Sequence, residues 1–291
     1  MESPVLPIVG YSLPTALHGV GIVLLYKAKG KLPNQKMITL NLAVAELLYC
    51  LSRAIIYALY MAEKLTTLPF SILTCFSYIF FLAIRFAILH IIIDRFLDIW
   101  LNLQYERYMN KNTLIKAIII QWIVGFLVAS AVIILYKFKV INHDTIKLIR
   151  LSTDIIIIIA AFSTFAYLFS KVKSVLYGHN SQQHKQNTSI EVWLKLKIPL
   201  LMVSTFIAFN TSSSILWICW NDSDVVSHSD PIPRYYIYML ILDLLGWCSD
   251  ALIYTFLQKR VRRLLAMSCK RTRRNQVRDL QTSLITRSVF P

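Results

Sequence analysis

The chain has 291 residues, of which 56% are hydrophobic and only 16% charged, with a mean hydropathy of +0.56. About a quarter of a soluble domain is charged, so this composition excludes an ordinary water-soluble fold and leaves much surface to face lipid. The net charge of +16 sits in short loops and a tail between apolar runs. That is the pattern of membrane orientation, and nucleic acid is set aside as a partner.

The N-terminus has no cationic n-region and no small-residue cleavage site. The first apolar run is therefore expected to act as an uncleaved signal anchor. Runs long enough to cross about 30 Å at 1.5 Å per residue fall at 5–26, 37–61, 70–97, 114–136, 151–170, 198–220 and 235–257. Their length rules out barrel strands, and an unpaired backbone cannot cross hydrocarbon, so all seven are expected to be helices. The predicted fold class is all-α, a seven-transmembrane helix bundle. No internal repeat is visible, which weakens a transporter built of duplicated halves.

Lys and Arg set the orientation. With the N-terminus outside, the inner loops and tail hold 22 of them and the outer segments 6. The outer set includes Lys147 and Arg150, placed in a basic outer loop at 137–150. The bias predicts a multi-pass protein with its N-terminus outside and its C-terminus cytoplasmic. The polar stretch 171–197 reads as a cytoplasmic link. Asn221-Asp222-Ser223 is an outer glycosylation sequon, so Asn221 is a candidate acceptor.

After the seventh run, Phe256, Leu257, Val261, Leu264 and Leu265 share one helical face and the basic residues take the other. A short amphipathic eighth helix over 256–265 is expected to lie on an anionic inner leaflet. Cys269 is a candidate for palmitoylation. Residues 266–291 form a basic tail expected to be disordered. The receptor domain is thus 1–265. The five cysteines form no CxxC pair, so neither a metal site nor a disulfide framework is expected, and no cofactor.

Four stretches carry chemistry in a fixed order. Asn41-Leu42-Ala43-Val44-Ala45-Glu46 lies in the second run. The third ends in Asp94-Arg95-Phe96-Leu97-Asp98-Ile99, followed by Tyr105. Trp122 stands in the fourth, and Asp250-Ala251-Leu252-Ile253-Tyr254 closes the seventh. In this order and spacing the chain resembles a divergent rhodopsin-like (class A) G-protein-coupled receptor over nearly its whole length. Asp94-Arg95-Phe96 resembles the family's Asp-Arg-Tyr, and Asp250 to Tyr254 resembles Asn-Pro-x-x-Tyr with Ala251 for Pro. The departures are specific. Val20 stands where the family has a first-helix Asn. The sixth run offers Phe206 to Ser212 in place of Cys-Trp-x-Pro, which removes the usual kink and toggle. Residues 137–150 contain no Cys, so the family's outer disulfide cannot form.

The resemblance implies a receptor in the plasma membrane, not an enzyme. It would bind an extracellular small molecule or short peptide and activate a heterotrimeric G protein, with arrestin and a receptor kinase as further partners. Asp94, Arg95, Phe96, Tyr167 and Tyr254 are its implied coupling switch, with Asp94 paired to Arg95 at rest. Ser77 aligns with the Asp of aminergic receptors, and the retinal Lys of opsins is missing, so neither an amine ligand nor an opsin is expected.

Ionisable groups inside spans are functional candidates by default. Glu46 and Arg53 share a face of the second run, and Asp243, Trp247, Asp250 and Tyr254 share a face of the seventh. If the family fold holds, Arg53 faces Asp243 in the outer half, as a buried ion pair or a polar anchor for ligand. Glu46 then lies near Asp250 at mid-depth. Two acids there repel, and could hold a cation between them. The resemblance implies sodium at Glu46 and Asp250; Arg85 neutralising both acids is the preferred alternative. Asp154 completes the ligand-pocket candidates, with Arg53, Ser77, Asp243 and Trp247. The alternative functions are a non-signalling accessory protein, motivated by the altered sixth and seventh helices, and a transporter or channel, motivated by the buried charges. No phosphate loop, nucleophile elbow or His-Glu-x-x-His spacing supports an enzyme.

Overall fold

A computed structural model describes residues 5–27, 34–62, 67–101, 104–177, 200–219, 234–256 and 261. The described residues are all-α. The long helices are α1 (Val5–Lys27), α2 (Asn34–Met61), α3 (Thr67–Leu101), α4 (Lys111–Lys137) and α5 (His143–Tyr177). They are followed by α6 (residues 200–219) and α7 (Arg234–Phe256). A single turn, Tyr105–Tyr108, stands between α3 and α4.

Six helices, α1 to α6, are long and apolar enough to cross a membrane. α7 matches them in length but carries Asp243 and Asp250 among its tyrosines, and it is not one of the six. The amphipathic helix expected at 256–265, Cys269, the tail 266–291 and Asn221 fall outside the described residues, apart from Phe256 and Val261.

Two helix boundaries have clear local causes. Asn110 caps α4, its side chain accepting from the Thr113 N–H at 2.9 Å. Asn142 does the same before α5, accepting from the Thr145 N–H at 2.9 Å. Each satisfies a donor that the first helical turn leaves open. Between them α4 ends in a Schellman turn. Val140 N–H bonds the Leu135 carbonyl, Lys139 N–H bonds that of Tyr136, and Lys139 takes a left-handed φ of 58°.

The Asn142 cap corrects the expected start of the fifth span. α5 begins at His143, not near 151, so Lys147 and Arg150 belong to the helix and are buried. α5 also runs on to Tyr177, into the stretch read as a link. Its 35 residues span about 50 Å at 1.5 Å each, more than a bilayer core requires.

α6 shows why the missing proline does not leave a plain helix. Phe206–Thr211 is a π-helical turn, with Ser212–Cys219 returning to α-helix. The irregularity falls on the stretch that the resemblance sets against Cys-Trp-x-Pro. A π-turn loosens the helix ladder as a proline does, by a different backbone route.

The helices close into a ring. α1 packs on α2 and α7, α2 on α3, α3 on α4 and α5, α5 on α6, and α6 on α7. Cross-helix pairs such as Tyr11 with Tyr57, Ser52 with Ser77 and Thr205 with Asp250 show the helices alternating in direction. One end of the bundle therefore carries Val5, Met61, His143 and Arg234. The other carries Lys27, Leu101, Lys111 and Phe256. The outward face of α4 is apolar, with Ile120 and Leu127 each 60% exposed. In water such a surface would drive association; against lipid it is the expected one.

α1 and α7 approach closely at one glycine. A Cβ on Gly21 would lie 2.5 Å from Thr255 Oγ1. That hydroxyl is buried with no hydrogen-bond partner among the described residues. We expect Gly21→Ala to lower stability by about 1–3 kcal/mol through overpacking. Adding Thr255→Ala should return most of that loss. Unfolding of the detergent-solubilised single and double variants checks both expectations.

Candidate functional site

The buried polar groups form layers from the Val5 end downwards. In the uppermost, Arg53 of α2 donates to the Tyr57 hydroxyl at 3.1 Å, and its guanidinium lies over the Tyr57 and Tyr11 rings at 5.3 and 5.7 Å. Ser52 and Ser77 share a hydrogen bond of 2.7 Å, which places Ser77 in the α2–α3 seam. Asp243 of α7 meets Arg150 of α5, with Nη2 to Oδ1 at 3.6 Å. The expected Arg53–Asp243 pair is thus replaced by Arg150–Asp243. Arg150 reaches Asp243 because the Asn142 cap turns it into the bundle. It also donates from Nε to Ser214 at 2.9 Å and from Nη2 to Ser213 at 3.4 Å.

The next layer joins α3, α5 and α6. Arg85 Nε donates to Asp154 Oδ1 at 3.2 Å, and both side chains are almost fully buried. Ser214 donates to Asp154 Oδ2 at 2.6 Å. Arg85 was expected to neutralise Glu46 and Asp250; its ion pair is with Asp154 instead. Asp154, expected as a ligand contact, is held by Arg85 and Ser214. The Arg85 guanidinium lies 3.7 Å from the centre of the Phe81 ring and 5.3 Å from that of Phe206.

Deeper, Glu46 lies against Asp250 as expected. The group beside them is an imidazole, with His18 Nδ1 of α1 3.4 Å from Glu46 Oε2. Thr205, just before the π-turn, donates to Asp250 Oδ1 at 3.1 Å. Among the described residues no group of three or more His, Cys, Asp or Glu is placed to hold a metal ion. Trp247 is buried beside Tyr49, ring centres 5.1 Å apart.

On the flank, Trp122 Nε1 donates to Asn41 Oδ1 at 2.7 Å. Asn41 Nδ2 donates to Gln121 Oε1 at 3.2 Å, and Gln121 Nε2 donates to the Ala83 carbonyl at 3.2 Å. His90 Nδ1 also meets Gln121 Oε1, at 3.2 Å. This network stitches α2, α3 and α4 together and engages both the oxygen and the nitrogen of the Asn41 and Gln121 amides.

At the Lys27 end, Asp94 and Arg95 are buried and paired. Arg95 Nε donates to Asp94 Oδ2 at 3.0 Å, and Nη1 to Asp98 Oδ2 at 3.2 Å. The Tyr105 hydroxyl donates to Asp94 Oδ1. The expected pairing of Asp94 with Arg95 is present. Phe96 stacks on Trp100 at 6.0 Å and meets the Tyr167 ring at a tilt, 5.1 Å away. Tyr254 lies on α7, but its side chain falls outside those described.

No protein-family model matches this sequence, and comparison with curated proteins finds no match. The residues themselves therefore carry the functional reading. Two that the sequence reading passed over, His18 and Arg150, each had a signal. His18 is the one residue among His, Lys, Arg, Asp and Glu within the first apolar run. Arg150 follows an Asn-x-x-Thr cap, a helix start that moves it from loop to helix.

Proposed function

We propose that this chain is a rhodopsin-like, seven-helix receptor of the plasma membrane, with its N-terminus outside and its C-terminus cytoplasmic. In this reading α7 crosses the bilayer with the other six. Its position between α1 and α6 supports that, because Asp243 and Asp250 then face protein and not lipid. A ligand enters from the Val5 end, and a heterotrimeric G protein docks at the Lys27 end, where the excess of Lys and Arg marks the cytoplasm.

The observation that carries the proposal is the lock on Arg95. Asp94 and Asp98 hold its guanidinium, Tyr105 holds Asp94, and the group closes the cytoplasmic end of α3. Two charge-assisted contacts fix Arg95 in one position. An opposing state in which they break would present a free guanidinium to a partner. The π-turn in α6 supplies a loosened segment of helix on the opposite wall. Ligand energy need only favour the open state over the closed one.

The test is G-protein dissociation in living cells, compared at matched surface levels. Asp94→Asn should raise the ligand-free signal, and Arg95→Ala should remove it. Equal signals from wild type, Asp94→Asn and Arg95→Ala across all G-protein subtypes would sink the receptor assignment. A second reading, transport, is favoured by one observation. Buried ionisable groups run from Asp243 and Arg150 through Arg85 and Asp154 to Glu46, Asp250 and His18. Substrate or ion flux lost in Glu46→Gln would select it.

A further inference from the structure

We infer that Arg85 anchors the carboxylate of a small organic acid, bound at mid-depth between α3 and α6. The inference names the ligand class of the receptor proposed above and rests on that reading for the ligand's signalling consequence alone.

The first step is a count of donors. A guanidinium carries five N–H groups. Arg85 is 2% exposed, and its Nε is taken by Asp154. Nη1 and Nη2 are buried with no hydrogen-bond partner among the described residues. Leaving charged donors unanswered at such depth is expensive. Asp154 does not answer them: its two oxygens meet Arg85 Nε and Ser214.

Around Arg85 the unanswered groups continue. Asn210, inside the π-turn one helical turn beyond Phe206, is buried with neither end of its amide bonded. Trp247 Nε1 is also without a partner, and its ring packs on Tyr49, which in turn meets Phe81. Phe81 lies under two cations at once, Arg85 at 3.7 Å and Arg150 at 4.9 Å. The open donors of Arg85 therefore lie against one aromatic ring that a second guanidinium also flanks.

The class of ligand follows from the donor geometry. Nη1 and Nη2 present parallel N–H bonds along one edge, which matches the two oxygens of a carboxylate. Asn210 Nδ2, which lies against Gly246 of α7, is the open donor on α6. Phe81, Phe206 and Trp247 make the surroundings apolar, as an organic body requires, and Arg150 supplies a second positive charge against repulsion from Asp154. An acid arriving from water and one arriving through the bilayer share this headgroup.

The experiment is thermal unfolding of the purified full chain in detergent, against increasing benzoate (water-borne) or decanoate (membrane-borne). The corresponding amides and sodium chloride are the controls. A carboxylate should raise the unfolding temperature saturably while its amide does not. Protection by benzoate assigns entry from water, and protection by decanoate alone assigns entry through the bilayer. Arg85→Gln/Asp154→Asn, which keeps the charges balanced, should weaken half-saturation at least about tenfold, the loss of a charge-assisted hydrogen bond. Asn210→Ala, which leaves the ion pair intact, should also weaken it. Protection no greater than that from the amides or chloride would mean that water alone satisfies these groups, and would overturn the inference. So would undiminished protection in both variants. Because no G protein takes part, failure here and failure of the receptor assignment are separate results.

Discussion

Asp154→Ala should lower the stability of the solubilised protein by about 3–5 kcal/mol, the cost of stranding one partner of a buried ion pair. Asp154 is fully buried, Arg85 nearly so, and Nε to Oδ1 is 3.2 Å. Removing the carboxylate leaves a guanidinium with no ionic partner beneath the Phe81 ring and deprives the Ser214 hydroxyl of its acceptor. Arg85→Met/Asp154→Leu provides the complementary measurement. Replacing both charges by apolar groups of similar size is often neutral or stabilising, so the double variant should unfold later than Asp154→Ala. Denaturant unfolding of all three proteins measures this. A single-variant loss below about 1 kcal/mol, the range of solvent-exposed pairs, would show that water reaches Arg85.

Arg150→Ala should be comparably damaging, by about 3–5 kcal/mol, although the charge pattern of the sequence places this residue in an exposed loop. A surface substitution there would change stability by about 0.5 kcal/mol at most. In the structure Arg150 faces Asp243, donates to Ser213 and Ser214, and lies over the Phe81 and Trp217 rings. Its loss leaves Asp243 buried at 3% exposure beside Tyr49 and Tyr11. The two placements of Arg150 thus predict results several-fold apart in one unfolding experiment. Arg150→Ala/Asp243→Asn should recover part of the loss if the stranded acid is its main cause.

Hydropathy alone located every long helix of the bundle, because a run of twenty apolar residues has few other fates. The lock at Asp94 and Arg95 was also legible, since neighbouring opposite charges at the end of such a run have little choice of partner. What could not be read was pairing between helices. Arg53, Arg85 and Arg150 all point inward, and which acid each meets depends on helix rotation and starting residue. A boundary shift of eight positions in α5 sufficed to move Asp243 from Arg53 to Arg150. His18 was missed for a related reason: on an apolar helix one polar residue has no periodicity to reveal its direction. The π-turn in α6 leaves no mark in composition, because Phe206–Thr211 contains neither Gly nor Pro.

That turn divides α6 into two registers. A π-turn amounts to one surplus residue in an α-helix, so the two sides follow angular frames offset by about 100°, one residue's share of a 3.6-residue turn. Thr205, which meets Asp250, belongs to the first frame; Ser213 and Ser214, which meet Arg150 and Asp154, belong to the second. An unbroken α-helix cannot present both sets inward at once. Deleting a single residue between Phe206 and Thr211 would mend the helix locally, yet rotate one set of partners towards the lipid. The bundle interior therefore tolerates exchange of side chains along this stretch better than any change in its length.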